Sequence, residues 1–357
     1  MKRIAVISPW PRIHNRNRLF GLPGFAEWMA RAAPAGYEIG TADVLAPEGA
    51  DCVWAVDIEE PRALLAQLAA VRRGRGRAVL QILESPLIRP HSWNRSLHRH
   101  FDRVLTYEQA AGSEARYRHY RIPVRLTPAL SDTPFQARRI AVMVNTNYLK
   151  GFWEKRGNTE SFSRFLCARL GAVLNPVRGN LYGWRQQLAR TAESFPAGTL
   201  DVYGRGWQGQ QLSWCAVYPH RAYRCATEAP MHAEDLAGWA KKIALLGGYR
   251  FAIAVENYRG HRDYISEKII DPFLAGTVPV YLGERDVTRV IPANAFVDAR
   301  GFRDWADLLH FLRECPVQQW QAMQQAGEAW LATPQAAEFN GEAFAARAMN
   351  LLQELFD

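Results

Sequence analysis

Glu256 and Lys268 bracket the stretch of this chain in which residue types and spacing most suggest chemistry. Glu256-Asn257 follows the apolar run Phe251-Ala252-Ile253-Ala254-Val255, and Asp263-Tyr264-Ile265-Ser266-Glu267-Lys268-Ile269-Ile270 comes shortly after. The pattern predicts a buried strand, a polar loop and a helix start. Asp263 is placed to cap that helix, whose first turn then offers free backbone N–H groups and the positive end of the helix dipole, an anion site. Lys268 adds a full positive charge. A surface Glu267–Lys268 pair on an ordinary amphipathic helix would use the same residues, and such a pair does little.

Glu84 is the second chemical position. It follows the apolar run Ala78-Val79-Leu80-Gln81-Ile82-Leu83 and precedes Ser85-Pro86. If the run is a strand, Glu84 emerges at its carboxyl end, where open α/β sheets hold functional groups. A turn residue ahead of proline is the competing role. Asp57-Ile58-Glu59-Glu60 imitates a D-x-D metal motif but reads as an acidic turn before a helix starting at Pro61. Neither a P-loop nor G-x-G-x-x-G is present. The histidines of the first half lack metal-ligand spacing, and Cys52, Cys167, Cys215, Cys225 and Cys315 have no CxxC arrangement. No metal site is expected, and Trp10, Trp28 and Trp93 read as packing residues before sugar-stacking ones.

The elements that must position these groups alternate between short β-branched apolar runs and longer helix-period segments, as in parallel sheets covered by helices. Strands are expected at 3–7, 52–56, 78–83 and 103–107, then at 139–144, 200–204, 251–255, 278–282 and 295–298. Pro279 fits its strand poorly, since proline removes a ladder donor. Residues 303–356 read as helical, interrupted at Pro334 and Gly341. With 357 residues, two α/β domains follow: 1–135, then 138–333, joined by a Pro-containing linker, with 334–357 as a terminal helix packing on both lobes.

Composition narrows the class. The chain is 48% hydrophobic and 22% charged, with 44 Lys and Arg against 35 Asp and Glu, a net charge of +9. That balance suits nucleic acid, a phosphate-bearing substrate or an acidic membrane surface. Base-stacking and groove-reading motifs are missing, so nucleic acid is not expected. No apolar run reaches the ~18 residues of a membrane span, and the N-terminal apolar run is too short for a signal peptide. The chain reads as cytoplasmic, with peripheral association at the inner membrane face as an extension.

The run from Phe251 to Phe302, including Phe273-Leu274-Ala275-Gly276-Thr277-Val278-Pro279-Val280-Tyr281-Leu282-Gly283 and Ile291-Pro292-Ala293-Asn294-Ala295-Phe296-Val297-Asp298, resembles the signature of the α-1,3/1,4-fucosyltransferases, glycosyltransferase family 10. Val142–Asn147, Leu181–Arg185 and Asp201–Trp207 extend the resemblance over most of 140–302. It implies a GT-B fold of two Rossmann-like lobes, a GDP-fucose donor held by the second lobe and displacement with inversion. It further implies that Arg185 and Lys268 hold the pyrophosphate, that Tyr264 and Glu267 contact the ribose or a phosphate, and that Asn147, Glu256 and Asn257 belong to the same donor pocket. Arginine binds phosphate oxygens through a planar fork and lysine as a point charge, although Arg185 could equally be a solvated helix residue. In the first lobe only Glu84-Ser85-Pro86 is family-like, which makes Glu84 the general base expected to take the acceptor's hydroxyl proton. The implied acceptor is an N-acetylglucosamine-containing or lipopolysaccharide-type glycan, and no cofactor or metal is required. Two departures are Tyr258 where Ser or Thr is common and Ser266 where Thr is usual; residues 208–236 fit the pattern poorly. A relative using another nucleotide sugar, or a non-catalytic sugar-nucleotide binder, are the alternatives.

Overall fold

The computed structural model describes residues 1–10, 14–109, 114–145, 179–204, 207 and 236–357. They form two compact units: residues 1–126 with 261–264 and 333–357, and residues 127–260 with 265–332. The first unit is built on a parallel sheet of β1 (Lys2–Ile7), β2 (Tyr37–Thr41), β3 (Cys52–Val56), β4 (Arg77–Gln81), β5 (Arg103–Thr106) and β6 (Tyr117–His119), in the order β2-β1-β3-β4-β5-β6. The four central strands lie within about two residues of their expected positions. β2 and β6 were not expected. They are the two edges: Glu38 and Gly40 interrupt the first, and the second is three residues long. Helix α1 (Phe25–Ala32) packs on this sheet, and α2 (Pro61–Arg73) buries Leu64, Leu68 and Val71 as its 3.6-residue spacing requires.

The second unit holds β7 (Arg139–Val144), β8 (Leu200–Tyr203), β9 (Tyr249–Val255), β10 (Val278–Leu282) and β11 (Val297–Asp298), parallel in the order β11-β10-β9-β7-β8. Its helices are α3 (Tyr182–Ala192), α4 (Leu236–Gly247), α5 (Glu267–Leu274), α6 (Trp305–Glu314) and α7 (Val317–Leu331). β9 is central and nearly continuously apolar, as a strand covered on both faces must be. Pro279 does lie within β10. On the β11 side pairing begins only at Val280, so the missing N–H falls on an unpaired flank. After β8 the chain turns at Gly204 with φ of 135°. A Cβ there would lie 2.0 Å from the Asn145 carbonyl oxygen, so only glycine fits.

The domain boundary differs from the expected one. Residues 127–135 belong with the second unit because Ala129 and Ser131 donate N–H bonds to the Leu274 and Ala275 carbonyls. Buried Arg138 gathers the carbonyls of Ser131, Thr133 and Gly276 at 2.8–2.9 Å and lies over the Trp320 ring. The terminal helix α8 (Gly341–Phe356), capped by Asn340, completes the first unit. Its Phe344, Ala345, Ala348 and Leu352 pack against α1 and the sheet around Trp28 and Trp54.

Candidate active site

The carboxyl end of β9 carries a connected set of buried polar groups. Glu256 is fully buried. Its Oε1 accepts the Ser266 N–H at 3.0 Å, its Oε2 accepts the Ser266 hydroxyl at 2.7 Å, and Lys268 Nζ lies 3.5 Å from Oε2. Burial pushes the Glu256 carboxyl up and Lys268 opposes this. Room for the side chain comes from Gly283, where a Cβ would stand 2.5 Å from Glu256 Cγ, which gives the Leu282-Gly283 pair its physical meaning. Ser266 is the N-cap of α5. Lys268 Nζ also reaches Ser266 Oγ at 3.1 Å and Glu267 Oε1 at 3.0 Å, and its side chain is only 15% exposed. Burial alone would lower the ammonium's proton affinity, yet Glu267 and Glu256 raise it. Glu267, its side chain 41% exposed, has its carboxyl held down to about 2: burial would raise it, but Lys268 and Lys242 dominate. Lys268 is therefore not half of a surface pair.

Arg185, on the first turn of α3, is 1% exposed. Its Nε donates to the Val255 carbonyl at 3.2 Å, and Nη2 donates to Asn257 Oδ1 at 2.8 Å. The guanidinium stacks over Tyr182. A solvated helix arginine is excluded; this one closes the end of β9. Behind the cluster, Lys242 of α4 meets Asp271 of α5 at 2.7 Å, both buried. A cavity of about 20 Å³ beside them is lined by Val144, Asn145, Lys242, Lys268 and Asp271, room for one water.

The structure thus brings Arg185, Glu256, Asn257, Glu267 and Lys268 together. Asn147 lies outside the described residues. Tyr264, grouped with the first unit, is 3% exposed and its ring lies tilted against that of Tyr107 at 5.1 Å. Asp263 does not cap α5. It sits in a left-handed conformation, φ 67°, and binds Arg121 at 2.8 Å, leaving the cap to Ser266. Gly260 and Asp263 both have positive φ, and residues 261–264 belong with the first unit.

Glu84 follows β4, two residues beyond Ile82, in the carboxyl-end position its sequence implied. Its N–H is accepted by Asp57 Oδ2 at 3.1 Å, and its carbonyl accepts the Trp93 indole N–H at 2.9 Å. Asp57 is a residue that sequence reasoning missed. It was read as part of an acidic turn before α2, but it is buried at the end of β3 with φ 55°. Burial, then Glu84, pushes its carboxyl up to about 8. The signal was its place directly after the apolar run Cys52–Val56. Among the described residues no group of three or more His, Cys, Asp or Glu side chains is arranged to hold a metal ion.

Residues 220–324 match the profile of the glycosyltransferase family 10 (fucosyltransferase) C-terminal domain. The match begins inside the stretch 208–236 that was expected to fit poorly. The mouse (Mus musculus) 4-galactosyl-N-acetylglucosaminide 3-alpha-L-fucosyltransferase 9 is 39% identical over 74 residues, 20% of this chain and 20% of that protein. The Bos taurus alpha-(1,3)-fucosyltransferase 4 is 33% identical over 124 residues, 33% of this chain and 25% of that protein. The matched stretches thus span about a fifth to a quarter of those relatives. A crystal structure of an alpha1,3-fucosyltransferase superposes with a TM-score of 0.54 at 14% identity, covering 99% of this chain and 90% of the other. HepE of Anabaena, solved with UDP, gives 0.53 at 11%, covering 99% and 100%. With its two parallel sheets this chain has the GT-B fold, and the match to the family 10 C-terminal profile spans the cluster at β9 and α5.

Proposed function

We propose that this protein is an inverting fucosyltransferase that transfers L-fucose from GDP-fucose to a hydroxyl of a glycan acceptor. The observation that carries the proposal is that the family 10 match falls on the buried Glu256–Ser266–Lys268 set. In this reading the start of α5, Lys268 and Arg185 face the diphosphate of the donor, with Glu256, Asn257 and Glu267 around them and Asn147 and Tyr264 as further donor-pocket residues to be tested. Lys268 and the amino end of α5 favour the charge that builds on the leaving GDP, so the reaction runs without a divalent ion. Glu84 removes the acceptor's proton as its oxygen attacks the anomeric carbon from the face opposite the diphosphate. The relatives' names support an α-1,3 linkage to an N-acetylglucosamine-containing acceptor; an α-1,4 linkage and a lipopolysaccharide-type acceptor are included in the proposal. No helix among the described residues is long and apolar enough to cross a membrane; a cytoplasmic location with peripheral association at an acidic membrane surface accords with the +9 charge.

A donor panel tests the proposal. GDP and GDP-fucose bind and UDP-sugars do not compete, with activity preserved in EDTA. The fold is as similar to a protein solved with UDP as to the fucosyltransferase, so a second reading, transfer from a different nucleotide sugar, is decided by the same panel: a UDP-sugar binding most tightly establishes it.

A further inference from the structure

The turn that carries Glu84 is held by a single buried acid. β3 and β4 are neighbours, and both end at the carboxyl edge of the sheet. Ile82 still donates its N–H to the Leu105 carbonyl, and beyond it the N–H groups of Leu83 and Glu84 are accepted one each by Asp57 Oδ1 at 3.2 Å and Oδ2 at 3.1 Å. The Ser92 hydroxyl accepts the Ile58 N–H at 2.8 Å and is thereby turned to donate its own proton to Asp57. Three donors converge on the two oxygens, which a carboxyl can accept in either protonation state because its hydroxyl oxygen keeps acceptor capacity. An amide would turn an NH₂ toward a backbone N–H and leave it unsatisfied. Asp57 adopts left-handed backbone geometry to do this, a conformation aspartate tolerates better than most residues. With the Trp93 indole on its carbonyl, Glu84 is fixed on both sides.

We infer that Asp57 is the positioning residue of Glu84, setting where its carboxylate emerges from the turn after β4. This rests on the reading of Glu84 as the base. The titratable groups that interact with Asp57 are Glu84 from the turn after β4, and Tyr107 and Tyr120 from the ends of β5 and β6. Arg89, in the same turn as Glu84, is drawn to Glu59 at 2.6 Å. Burial first and Glu84 second raise the Asp57 carboxyl to about 8. Below that pH the turn after β4 is held by a neutral acid and above it by an anion.

Two measurements test this on the whole chain. Difference infrared spectra between the parent and Asp57→Asn show a protonated carboxyl at pH 7 that titrates near 8, and in Glu84→Gln the same band titrates at lower pH. In transfer assays Asp57→Asn lowers kcat up to about 10²-fold, leaves the acceptor KM within about threefold, and loses the inflection near pH 8 in the pH–rate profile. A folded Asp57→Asn protein with unchanged kcat and pH profile overturns the inference. If Asp57→Asn does not fold, Glu84→Gln decides, and an Asp57 band unmoved by it also overturns the inference. Normal transfer by Glu84→Gln removes the base reading alone; a shifted Asp57 band in that same variant still establishes the carboxylate pair.

Discussion

Replacing Lys268 by Met separates its charge from its packing, because the thioether keeps the apolar stem. Two carboxylates face the ammonium, Glu256 at 3.5 Å and Glu267 at 3.0 Å. Distance alone would make Glu267 the stronger partner, but its side chain is 41% exposed and the pair is solvent-screened, which limits it to about 0–1 kcal/mol. Glu256 is fully buried. At an effective dielectric of about 20, a charge pair at that distance attracts by about 5 kcal/mol, and removing one member of a buried pair costs roughly 3–5 kcal/mol in stability. The deficit depends on pH. Without the ammonium, burial is unopposed by that cation and the folded-state proton affinity of Glu256 rises further above its unfolded value. Stability is then present in full below the ordinary carboxylate range and is lost as pH rises through the raised value. Urea unfolding at pH 5 and pH 8 is the assay: Lys268→Met loses about 3–5 kcal/mol at pH 8 and clearly less at pH 5. Adding Glu256→Gln recovers at least half of the loss, since the stranded charge is gone. Calorimetry shows weakened GDP binding in the single variant. A Lys268→Met protein within about 1 kcal/mol of the parent at pH 8, or an equal deficit at both pH values, refutes the reasoning.

Gly204→Ala forces a Cβ to 2.0 Å from the Asn145 carbonyl at a φ of 135°; it costs at least about 1–3 kcal/mol, read as a lower urea midpoint. Arg138→Met strands the carbonyls of Ser131, Thr133 and Gly276 and lowers stability by about 3 kcal/mol or more by the same assay, with GDP affinity unchanged in the protein that remains folded. Glu84→Gln keeps GDP-fucose binding while transfer falls by about 10²- to 10⁴-fold; transfer within a few-fold of the parent places the base elsewhere.

Much of the fold could be read from the sequence because its central strands are apolar runs bounded by polar turns. Cys52–Val56 and Phe251–Val255 are such runs, and parallel strands covered on both faces leave that mark. The edges left no such mark: β2 contains Glu38 and Gly40, and β6 is three residues long. The candidate site was legible where chemistry and signature coincide, at Arg185, Glu256 and Lys268. It was not legible where position depends on the path of the chain. Asp263 has the residue type of a cap, but it is left-handed and groups with 261–264 in the first unit, and Ser266 caps the helix. Asp57 was hidden for the opposite reason. Its neighbours Glu59 and Glu60 make it look like one acid of an exposed run, and only the end of β3 beneath it buries it.

The charges at β9 and α5 come close to cancelling, and that constrains how the site can bind an anion. Glu256 and Glu267 stand against Lys268, and Asp271 stands against Lys242. Arg185 is committed to a backbone carbonyl and to Asn257. Among the described residues of this cluster, a diphosphate would meet no large unbalanced positive charge. The resting contacts must instead be exchanged for new ones, with the Lys268 ammonium turning from Glu267 toward phosphate or Glu256 taking up a proton. Burial already raises the Glu256 carboxyl, so binding a dianion beside it raises its proton affinity further. Net proton uptake on GDP binding follows, largest where Glu256 is ionised in the free protein. Calorimetry in two buffers of different ionisation enthalpy measures it directly. Proton uptake in the parent that disappears in Glu256→Gln is the expected result, and binding heats independent of buffer would show that the cluster takes the anion with its charges unchanged.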